Sequence, residues 1–448
     1  MKLSKFINDL NQQVSISSLV FFRLSFGAIL LWEVFRYFDN GWIARYWMRP
    51  DFYFSYSGFG WLQPLPGDGM LLLFYGLGVC AVAILLGLFY RWATILFFIG
   101  FTYVFLLDKT NYLNHFYLIS LISFLLIFLP ANRALSLDVY FKRVQKNTQV
   151  PAWAPAILAF QLGVAYFFGG IAKLNADWLR GYPLFDWLGG RMDYPLIGQF
   201  FDEKWMVLLF SYSGLLLDLL IVPALIYRRT RIPAYIAIVT FHLMNHGLWQ
   251  IGIFPWFMIA ATTLFFDPAW FKRILDRAGA RLFDGDELSP PTGFQHSGFK
   301  LGLLSVFILI QLFMPLRHWL YGGNVSWNEL GHRFSWHMKL RDKEAQAKFR
   351  VFDPKSNEFW DIDNRDFLSR RQAQKMSTRP DMILQFAHHL GEIFIEDGYP
   401  HVRVFADVEA GLNGREYQQL IDSRVDLLGV DHNTHHDEWI VPLSTKLP

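Results

Sequence analysis

Cysteine and charged residues are scarce in this sequence. Cys80 is the single cysteine among 448 residues, so an intramolecular disulfide is excluded. It lies within an apolar stretch, residues 77–84, where an ionised thiol is disfavoured, and thiol-based catalysis is excluded with it. Asp, Glu, Lys and Arg make up 18% of the chain, against about 25% in a typical soluble protein. Because hydrophobic residues reach 53% and aromatic residues 18%, the composition indicates an integral membrane protein.

The sequence also lacks a concentrated patch of positive charge and any nucleotide-binding motif. Its formal net charge is +3, and the basic residues are dispersed among short loops, which argues against a nucleic-acid partner. Neither a P-loop nor a Rossmann fingerprint is present, and there is no internal repeat or low-complexity tract. The membrane region and the segments attached to it are therefore the places to look for function.

The start of the chain has some features of a signal peptide. Residues 1–15 are polar and contain two lysines. However, the apolar segment that follows, residues 16–32, contains Arg23 and has no small-residue cleavage signature near its end. We interpret this segment as a retained first membrane span.

Long apolar segments predict about nine transmembrane helices, since about 20 apolar residues cross a hydrocarbon core of ~30 Å. The candidate spans are residues 16–37, 70–90, 92–108, 113–130, 154–173, 205–227, 232–249, 251–266 and 299–314. With the amino terminus inside, the inner loops hold more basic residues than the outer loops, so the positive-inside rule favours this orientation. It places Lys173, at the end of the fifth span, on the outer side.

The composition changes after the ninth span. From about Arg317 onward the chain is charged, with short alternating runs at residues 401–406 and 439–442 and an amphipathic helix near residues 381–395. The predicted orientation puts this part on the same side as Lys173. The predicted fold is an integral membrane α-helical bundle, residues 1–316, followed by a small extracytoplasmic α+β domain, residues 317–448, which is a candidate lid or substrate platform.

Lys173 is the first candidate for chemistry. A lysine at a membrane boundary ordinarily extends its ammonium group to the lipid headgroups. The alternative is that another part of the chain covers Lys173, in which case desolvation favours the neutral amine and makes it a base. Gly169 and Gly170, just upstream, allow another helix to approach closely.

A polar turn between the third and fourth spans supplies a second candidate. The turn lies on the same outer side as Lys173, and such turns are ordinary features of membrane proteins. His115 is harder to explain in that way, because it begins the next apolar helix. It points toward the bundle if Asn114 caps that helix.

Other ionisable residues also lie in or beside spans. His242 and His246 are four residues apart on one helical face, a spacing that zinc enzymes use, but the glutamate of H-E-x-x-H is absent. Histidines hydrogen-bonded inside the bundle are therefore favoured over a metal site. Asp218 is a buried ionisable residue that needs a partner. Residues 431–439 are rich in histidine and resemble a metal site, but a solvated loop explains them equally well.

Short motifs along the chain carry a resemblance to a known family. They are Phe22-Arg-Leu-Ser-Phe-Gly27, Val104-Phe-Leu-Leu-Asp-Lys-Thr110 with Asn114-His115, Gly170-Ile-Ala-Lys-Leu-Asn-Ala-Asp-Trp178, Phe241-His-Leu-Met-Asn245, Gln311-Leu-Phe-Met-Pro315 and Ser335-Trp336. In this order they resemble the vitamin K-dependent gamma-glutamyl carboxylase family. The likeness extends through the whole membrane region and into the outer domain.

The resemblance implies roles for individual residues. Lys173 matches the family's catalytic base, which deprotonates vitamin K hydroquinone, and His115 matches a histidine that assists at the active centre. Arg341 and Lys343 correspond to groups that grip the carboxylate of the substrate glutamate, and Arg424 is predicted to join them, because a carboxylate needs several directed donors. No metal is expected. The residues predicted to bind the cofactor are Asn114, His242, Asn245, His246 and Trp249.

The resemblance also implies a reaction. The γ-carbon proton of glutamate lies very roughly 15 pK units above an ordinary ammonium, a deficit on the order of 20 kcal/mol, so a lysine alone cannot remove it. In the family, reaction of reduced vitamin K with O2 gives the epoxide and a stronger base, which removes this proton before CO2 is added. Water would quench such a base, so an apolar, covered pocket is expected. The implied cofactor is vitamin K hydroquinone or menaquinol, with O2 and CO2 as co-substrates.

The chain departs from the animal members of the family. It stops short of their long lumenal extension, and one cysteine does not permit their inter-domain disulfide, so recognition of a propeptide is not implied. The shorter chain resembles bacterial relatives, which implies a bacterial inner membrane with the C-terminal domain in the periplasm and a glutamate-containing peptide or protein as substrate. Two other functions stay open: quinol epoxidation not coupled to carboxylation, and non-enzymatic quinone or lipid binding.

Overall fold

The computed structural model describes residues 8–280, 282–283, 298–431 and 438–448. Residues 1–7 of the polar start of the chain and residues 432–437 of the histidine-rich segment lie outside these residues. A helical part comes first in the chain and a small antiparallel sheet follows it.

Twelve helices of eight or more residues are described. They are α1 (Ser17–Asp39), α2 (Gly69–Leu86), α3 (Tyr90–Leu107), α4 (Asn114–Leu126), α5 (Trp153–Ala172), α6 (Lys204–Ile226), α7 (Arg231–Trp249), α8 (Phe254–Thr262), α9 (Trp270–Arg277), α10 (Gly298–Phe313), α11 (Arg370–Ser377) and α12 (Pro380–Glu396). Shorter α-helical segments lie at Leu137–Tyr140, Ala176–Leu179, Leu184–Gly189 and Val325–Asn328. The strands are β1 (Gln13–Ser15), β2 (Gln149–Pro151), β3 (Lys343–Asp353), β4 (Glu358–Ile362), β5 (Arg403–Leu412) and β6 (Gln418–Ile421).

The predicted membrane bundle is found, but the predicted count of nine spans is not confirmed. Within the described residues, six helices are long and apolar enough to cross a membrane: α1, α2, α3, α5, α6 and the segment Gly302–Leu320. The helix α4 has 13 residues, which is ~20 Å and short of a ~30 Å hydrocarbon core. The helix α8 is likewise short. The helix α7 has 19 residues and is long enough, but it is not apolar enough to be counted among the six.

The helices α5 and α6 approach each other closely where the sequence predicts a close approach. A Cβ atom added at Gly170 would lie 2.7 Å from the Leu219 side chain and 3.0 Å from the Leu219 backbone nitrogen. Any side chain at this position would therefore push the two helices apart. The contact holds the outer end of α5 against α6, which positions the side chain that follows α5.

The predicted extracytoplasmic α+β domain is built on a four-stranded antiparallel sheet with the order β4-β3-β5-β6. Alternate side chains of β5, including Val404, Ala406 and Val408, are buried beneath α12, as the period of a strand requires. The predicted helix near residues 381–395 is thus confirmed. The predicted strand at residues 439–442 is reduced to a single bridge, Ile421 to Ile440.

Charged contacts attach this domain to the outer ends of the membrane helices. Arg415 forms two hydrogen bonds of 2.7 Å to the carboxylate of Asp177, which follows α5. On α12, Asp381 accepts hydrogen bonds from Lys109 at 2.7 Å and Arg333 at 2.8 Å. Burial alone would raise the pKa of the Asp381 carboxyl, but Arg333 and Lys109 hold it well below its usual range. The domain therefore lies on the side of the bundle where Lys173 is found.

Candidate active site

Lys173 is covered by protein, and its amine has a carboxylate partner. The residue follows the last turn of α5 and is 5% exposed. Its side chain folds back along the helix, so that Nζ donates to Asp218 Oδ2 at 2.6 Å and to the Gly169 carbonyl at 3.2 Å. The Trp178 ring lies 5.3 Å from Nζ. Asp218, which the sequence marks as a buried carboxylate in need of a partner, therefore finds that partner in Lys173.

The pair lies in the wall of a cavity of about 580 Å³, within the range of ~300–1,000 Å³ typical of small-molecule sites. Helices α5 to α8, the segment 178–197 and the segment 336–339 enclose it. The wall is mainly aromatic and aliphatic. Its principal polar side chains are Lys173, Asp218, Tyr166, Ser213, Thr240, His242, Asn245 and Lys339.

The extracytoplasmic segment 335–339 covers the cavity beside the ion pair. Trp336, which is 1% exposed, and Met338 both line the cavity. A Cβ atom added at Gly169 would lie 3.0 Å from Met338 Cε, 3.3 Å from Asp218 Oδ2 and 3.9 Å from the Trp336 carbonyl. The absence of a side chain at Gly169 therefore lets the cover, the helix α5 and the Asp218 carboxylate meet at one point.

One side of the cavity reaches the surface that faces lipid. Leu209 and Ser213 of α6 and Ala237 and Thr240 of α7 line the cavity and are exposed. A second apolar groove of about 350 Å³ continues between the same helices and shares Ala237 and Leu217 with the cavity. The cavity therefore reaches the outer surface of the helical bundle between α6 and α7.

The helix α7 presents three of its predicted binding residues to the cavity. His242, Asn245 and Trp249 all line it, because spacings of three and four residues put side chains on one helical face. His246 is not among the lining residues; its ring lies 5.5 Å from that of Trp256. The hydroxyl of Tyr166 lies 3.0 Å from His242 Nε2.

His115 does not line this cavity. Its ring stacks on Phe254 at 5.6 Å, and the ring of His242 meets Phe254 edge-on at 5.7 Å, so a phenylalanine lies between the two imidazoles. The expected cap is wrong: the N-cap residue of α4 is Leu113, because Asn114 already belongs to the helix. The Asn114 side chain instead donates to the His337 carbonyl at 3.1 Å.

Two family models match this chain. Residues 11–270 match the HTTM domain, and residues 296–446 match the lumenal domain of vitamin K-dependent gamma-carboxylase. The chain belongs to the vitamin K-dependent gamma-carboxylase family. No solved structure matches it. The lumenal-domain match indicates that the C-terminal part of this family member lies outside the cytoplasm.

The two cations that the carboxylase family implies for glutamate binding lie in a second place, which we call the outer cluster. It consists of Glu329, His332, His337, Arg341, Lys343 and Arg379. Arg341 is paired with the buried Glu329, and Lys343 donates to the Trp327 carbonyl. Burial, followed by the nearness of Arg341 and Arg379, lowers the pKa of Lys343 well below its usual range.

The outer cluster adjoins the cavity through the segment 335–339. Trp336 and Met338 line the cavity, whereas the His337 ring packs against His318 at 4.7 Å and His332 at 5.2 Å. Both ring nitrogens of His337 are buried without a hydrogen-bond partner among the described residues. Burial, with His318 and Lys173 adding to it, lowers the pKa of His337 to about 3, so the imidazole is neutral. The segment 335–339 therefore separates the cavity from the outer cluster.

Arg424 lies neither in the cavity wall nor in the outer cluster. It is on the surface next to Asp422, to which it donates at 2.7 Å and 3.0 Å. Its part in glutamate binding in this family member stays a prediction. Within the described ranges there is no group of three or more His, Cys, Asp or Glu side chains arranged to hold a metal ion.

Sequence reasoning missed two parts of the site. Tyr166 lies seven residues before Lys173, a spacing of about two helical turns that puts both side chains on one face of α5. That spacing was a usable signal. The outer domain was already a candidate lid, but the sequence did not show that Trp336 and Met338 are the covering residues, because that depends on how the domain docks on the bundle.

Proposed function

We propose that this chain is a vitamin K-dependent γ-glutamyl carboxylase. In this proposal it oxidises reduced vitamin K, or menaquinol, with O2 to the epoxide and uses the strong base so produced to add CO2 to glutamate in a peptide or protein. The observation that carries the proposal is the buried Lys173–Asp218 pair in the wall of an apolar, covered cavity. The family membership supports the same reaction.

The residues of the cavity fit a reduced naphthoquinone. Its walls are mainly aromatic and aliphatic, it opens between α6 and α7, and among its polar groups are the pairs Lys173–Asp218 and Tyr166–His242. The Lys173–Asp218 pair and the side chain of Asn245 line this wall, so a ligand would find polar partners in it. When bound, the quinol would supply the oxygen chemistry that converts a weak base into a strong one.

The chain's own side chains have separate tasks in this proposal. The Lys173–Asp218 pair accepts the proton of a quinol hydroxyl and holds it, with the ammonium beside the oxygen that has lost it. Asn245 and Trp249 are proposed to orient the ring. Trp336 and Met338 exclude water from the base formed there.

The outer cluster is proposed to hold the substrate glutamate. Arg341, Lys343 and Arg379 lie together beside the buried Glu329 carboxylate, and Asp381 is near enough to interact electrostatically with all three. A substrate carboxylate that replaces Glu329 on Arg341 would meet the directed donors that such a group needs. His115 is proposed to act from beyond Phe254, which would have to turn aside for the imidazole to reach the cavity.

The same proposal assigns a location. The basic inner loops and the position of the sheet domain favour an orientation with that domain outside the cytoplasm, and we propose the periplasmic side of a bacterial inner membrane. The glutamate substrate would then be met outside the cytoplasm, while the quinol arrives from the bilayer.

A single assay tests the proposed function. Purified protein in detergent is mixed with reduced vitamin K, bicarbonate and a glutamate peptide in air, and both epoxide and fixed CO2 are measured. Both products are expected. Epoxide without fixed CO2 would instead identify an uncoupled quinol epoxidase, and neither product would leave a quinone- or lipid-binding membrane protein.

A further inference from the structure

The turn that follows β5 reaches back to the membrane helices. It begins with Asn413 and Gly414, whose φ angles are positive, +55° and +76°. Asparagine and glycine are the residues that most readily adopt this left-handed conformation, so the turn alone would explain their presence. However, Asn413 is 1% exposed, whereas the side chains of such turns ordinarily face solvent. Its amide group therefore has a task beyond the turn.

Both ends of the Asn413 amide are used, and they lead to different parts of the protein. Nδ2 donates to Asp177 Oδ2 at 2.8 Å, and Oδ1 accepts from the backbone nitrogen of Asp342 at 2.8 Å. The backbone nitrogen of Asn413 in turn donates to the Asp342 carbonyl at 2.8 Å. Asn413 thus connects a residue that follows α5 with the residue that lies just before β3.

The Asp177 end of this connection belongs to the wall of the cavity. Trp178, the next residue, lines the cavity, and its ring lies 5.3 Å from Lys173 Nζ. Arg415 also donates to the Asp177 carboxylate, so the docking of the outer domain does not depend on Asn413 alone. What Asn413 adds is a link between this helix end and a second segment.

The Asp342 end of the connection belongs to the outer cluster. Asp342 stands between Arg341 and Lys343, the two cations proposed to hold the substrate glutamate. Its Oδ2 also accepts a hydrogen bond of 3.0 Å from Nε1 of Trp187, which lines the cavity. The backbone that carries the two cations is therefore fixed to the turn of Asn413 on one side and to the cavity wall on the other.

From these contacts we infer that Asn413 is a positioning residue for the carboxylation step. It holds the segment that carries Arg341 and Lys343 in register with the helix end that carries Lys173. The inference rests on the proposed function, which supplies the glutamate and the strong base that must meet it. It goes further by naming the side chain that links the two places. Since a misplacement of about 1 Å can cost ~10²-fold in rate, the loss of this link is measurable.

Two variants separate the side chain of Asn413 from its turn. Asn413→Gly removes the amide and keeps the positive φ without strain. Asn413→Asp keeps the shape and the acceptor for Asp342, but it replaces the donor with a carboxylate oxygen that faces Asp177. Asn357→Gly is the matched control, because Asn357 also has a positive φ, +60°, and is exposed beyond the opposite end of β3.

The ratio of the two products tests the positioning role. Epoxide and fixed CO2 are measured in the same samples over a range of concentrations of a glutamate peptide. In both Asn413 variants the CO2 fixed per epoxide is expected to fall about 10-fold, while the KM for the peptide stays within about threefold, because Arg341 and Lys343 are still present. Asn357→Gly is expected to keep the wild-type ratio. A general loss of stability would lower both products together and leave their ratio unchanged.

Hydrogen–deuterium exchange gives a second readout that does not depend on turnover. When the glutamate peptide is added to wild-type protein, exchange is expected to slow at residues 341–343 and, through Asn413, at residues 176–179. In both Asn413 variants the slowing at 341–343 is expected to remain, and the slowing at 176–179 is expected to be lost. If Asn413→Gly does not fold, Asn413→Asp decides the question, because it keeps the contact with Asp342.

The outcomes separate this inference from the function on which it rests. A wild-type product ratio and a wild-type exchange pattern in the Asn413 variants would overturn the positioning role and leave the carboxylase proposal standing. Wild-type protein that fixes no CO2 would overturn the carboxylase proposal and this inference with it.

Discussion

Lys173 and Asp218 form an ion pair of 2.6 Å between two helices that also touch at a pair of glycines. Both side chains are almost completely buried, so neither charge is solvated by bulk water. Removing one member of a buried ion pair commonly costs about 3–5 kcal/mol, because the other charge is left without a partner. The pair is therefore a stability element as well as the candidate reaction centre, and experiments on it must measure both properties.

Lys173→Ala is expected to abolish epoxide formation, with a loss of at least about 10³-fold, because Asp218 loses the ammonium that lies 2.6 Å from it in the cavity wall. The measurement is epoxide by chromatography together with size-exclusion elution and thermal unfolding. Lys204→Ala is the control, since Lys204 is exposed at the start of α6 and does not line the cavity. Unchanged turnover in folded Lys173→Ala protein would remove this residue from the mechanism.

Asp218→Asn keeps the shape of the side chain and removes its charge. It therefore tests whether the Lys173 amine needs the Asp218 carboxylate. We expect quinol oxidation to fall by about 10²-fold or more, because the group that places Nζ and shares its proton is lost. Asp218→Glu is expected to recover part of the rate. The rates are measured across pH, and full activity of the asparagine variant would mean that Lys173 works alone as a neutral amine.

The sequence predicted the kind of fold more successfully than it predicted contacts between side chains. Apolar segments and Gly169-Gly170 are local signals, and they correctly indicated a helical membrane bundle and a close helix approach. Whether His242 and His246 share a cavity wall depends on the rotation of α7 against α5 and α8, which a four-residue spacing does not define. The cap at Asn114 failed because that residue is tied to the outer domain, a contact 223 residues away in the chain.

Gly169→Ala is expected to reduce activity more than stability. Its new Cβ would lie 3.0 Å from Met338 Cε and 3.3 Å from Asp218 Oδ2, so the cover or the carboxylate must shift by a few tenths of an ångström. A loss of about 10-fold in epoxidation is expected, with little change in the unfolding temperature. Gly163→Ala on the same helix is the matched control, because its Cβ would make only ordinary contacts of 3.6 Å with Val222. Equal rates in the two variants would show that the cover does not touch the reaction centre.

Arg341→Gln is expected to raise the KM for a glutamate peptide by about 10- to 100-fold while epoxidation stays nearer to the wild-type rate, because Arg341 lies in the outer cluster and not in the cavity wall. The two activities are measured in the same samples. Arg365→Gln, an exposed arginine paired with Asp363 at 2.7 Å, controls for loss of one positive charge. A fall in epoxidation with an unchanged KM would place Arg341 in the quinol reaction instead.

Asp381→Asn is expected to loosen the docking of the outer domain. Asp381 accepts from both Lys109 and Arg333, and these cations hold its pKa well below its usual range, so the carboxylate stabilises the folded state above its unfolded pKa of about 3.9. That stabilisation is lost as pH falls from about 5 toward the lower folded pKa. Since the side chain is partly exposed, we expect Asp381→Asn to lower the free energy of unfolding by about 1–3 kcal/mol near pH 7. This would be seen as a lower unfolding temperature and faster proteolysis between the domains.

The difference in stability between Asp381→Asn and wild-type protein should shrink below pH 4, because the wild-type carboxylate is then losing its charge. A difference that grew on acidification would show that the two cations do not stabilise the docked state through Asp381.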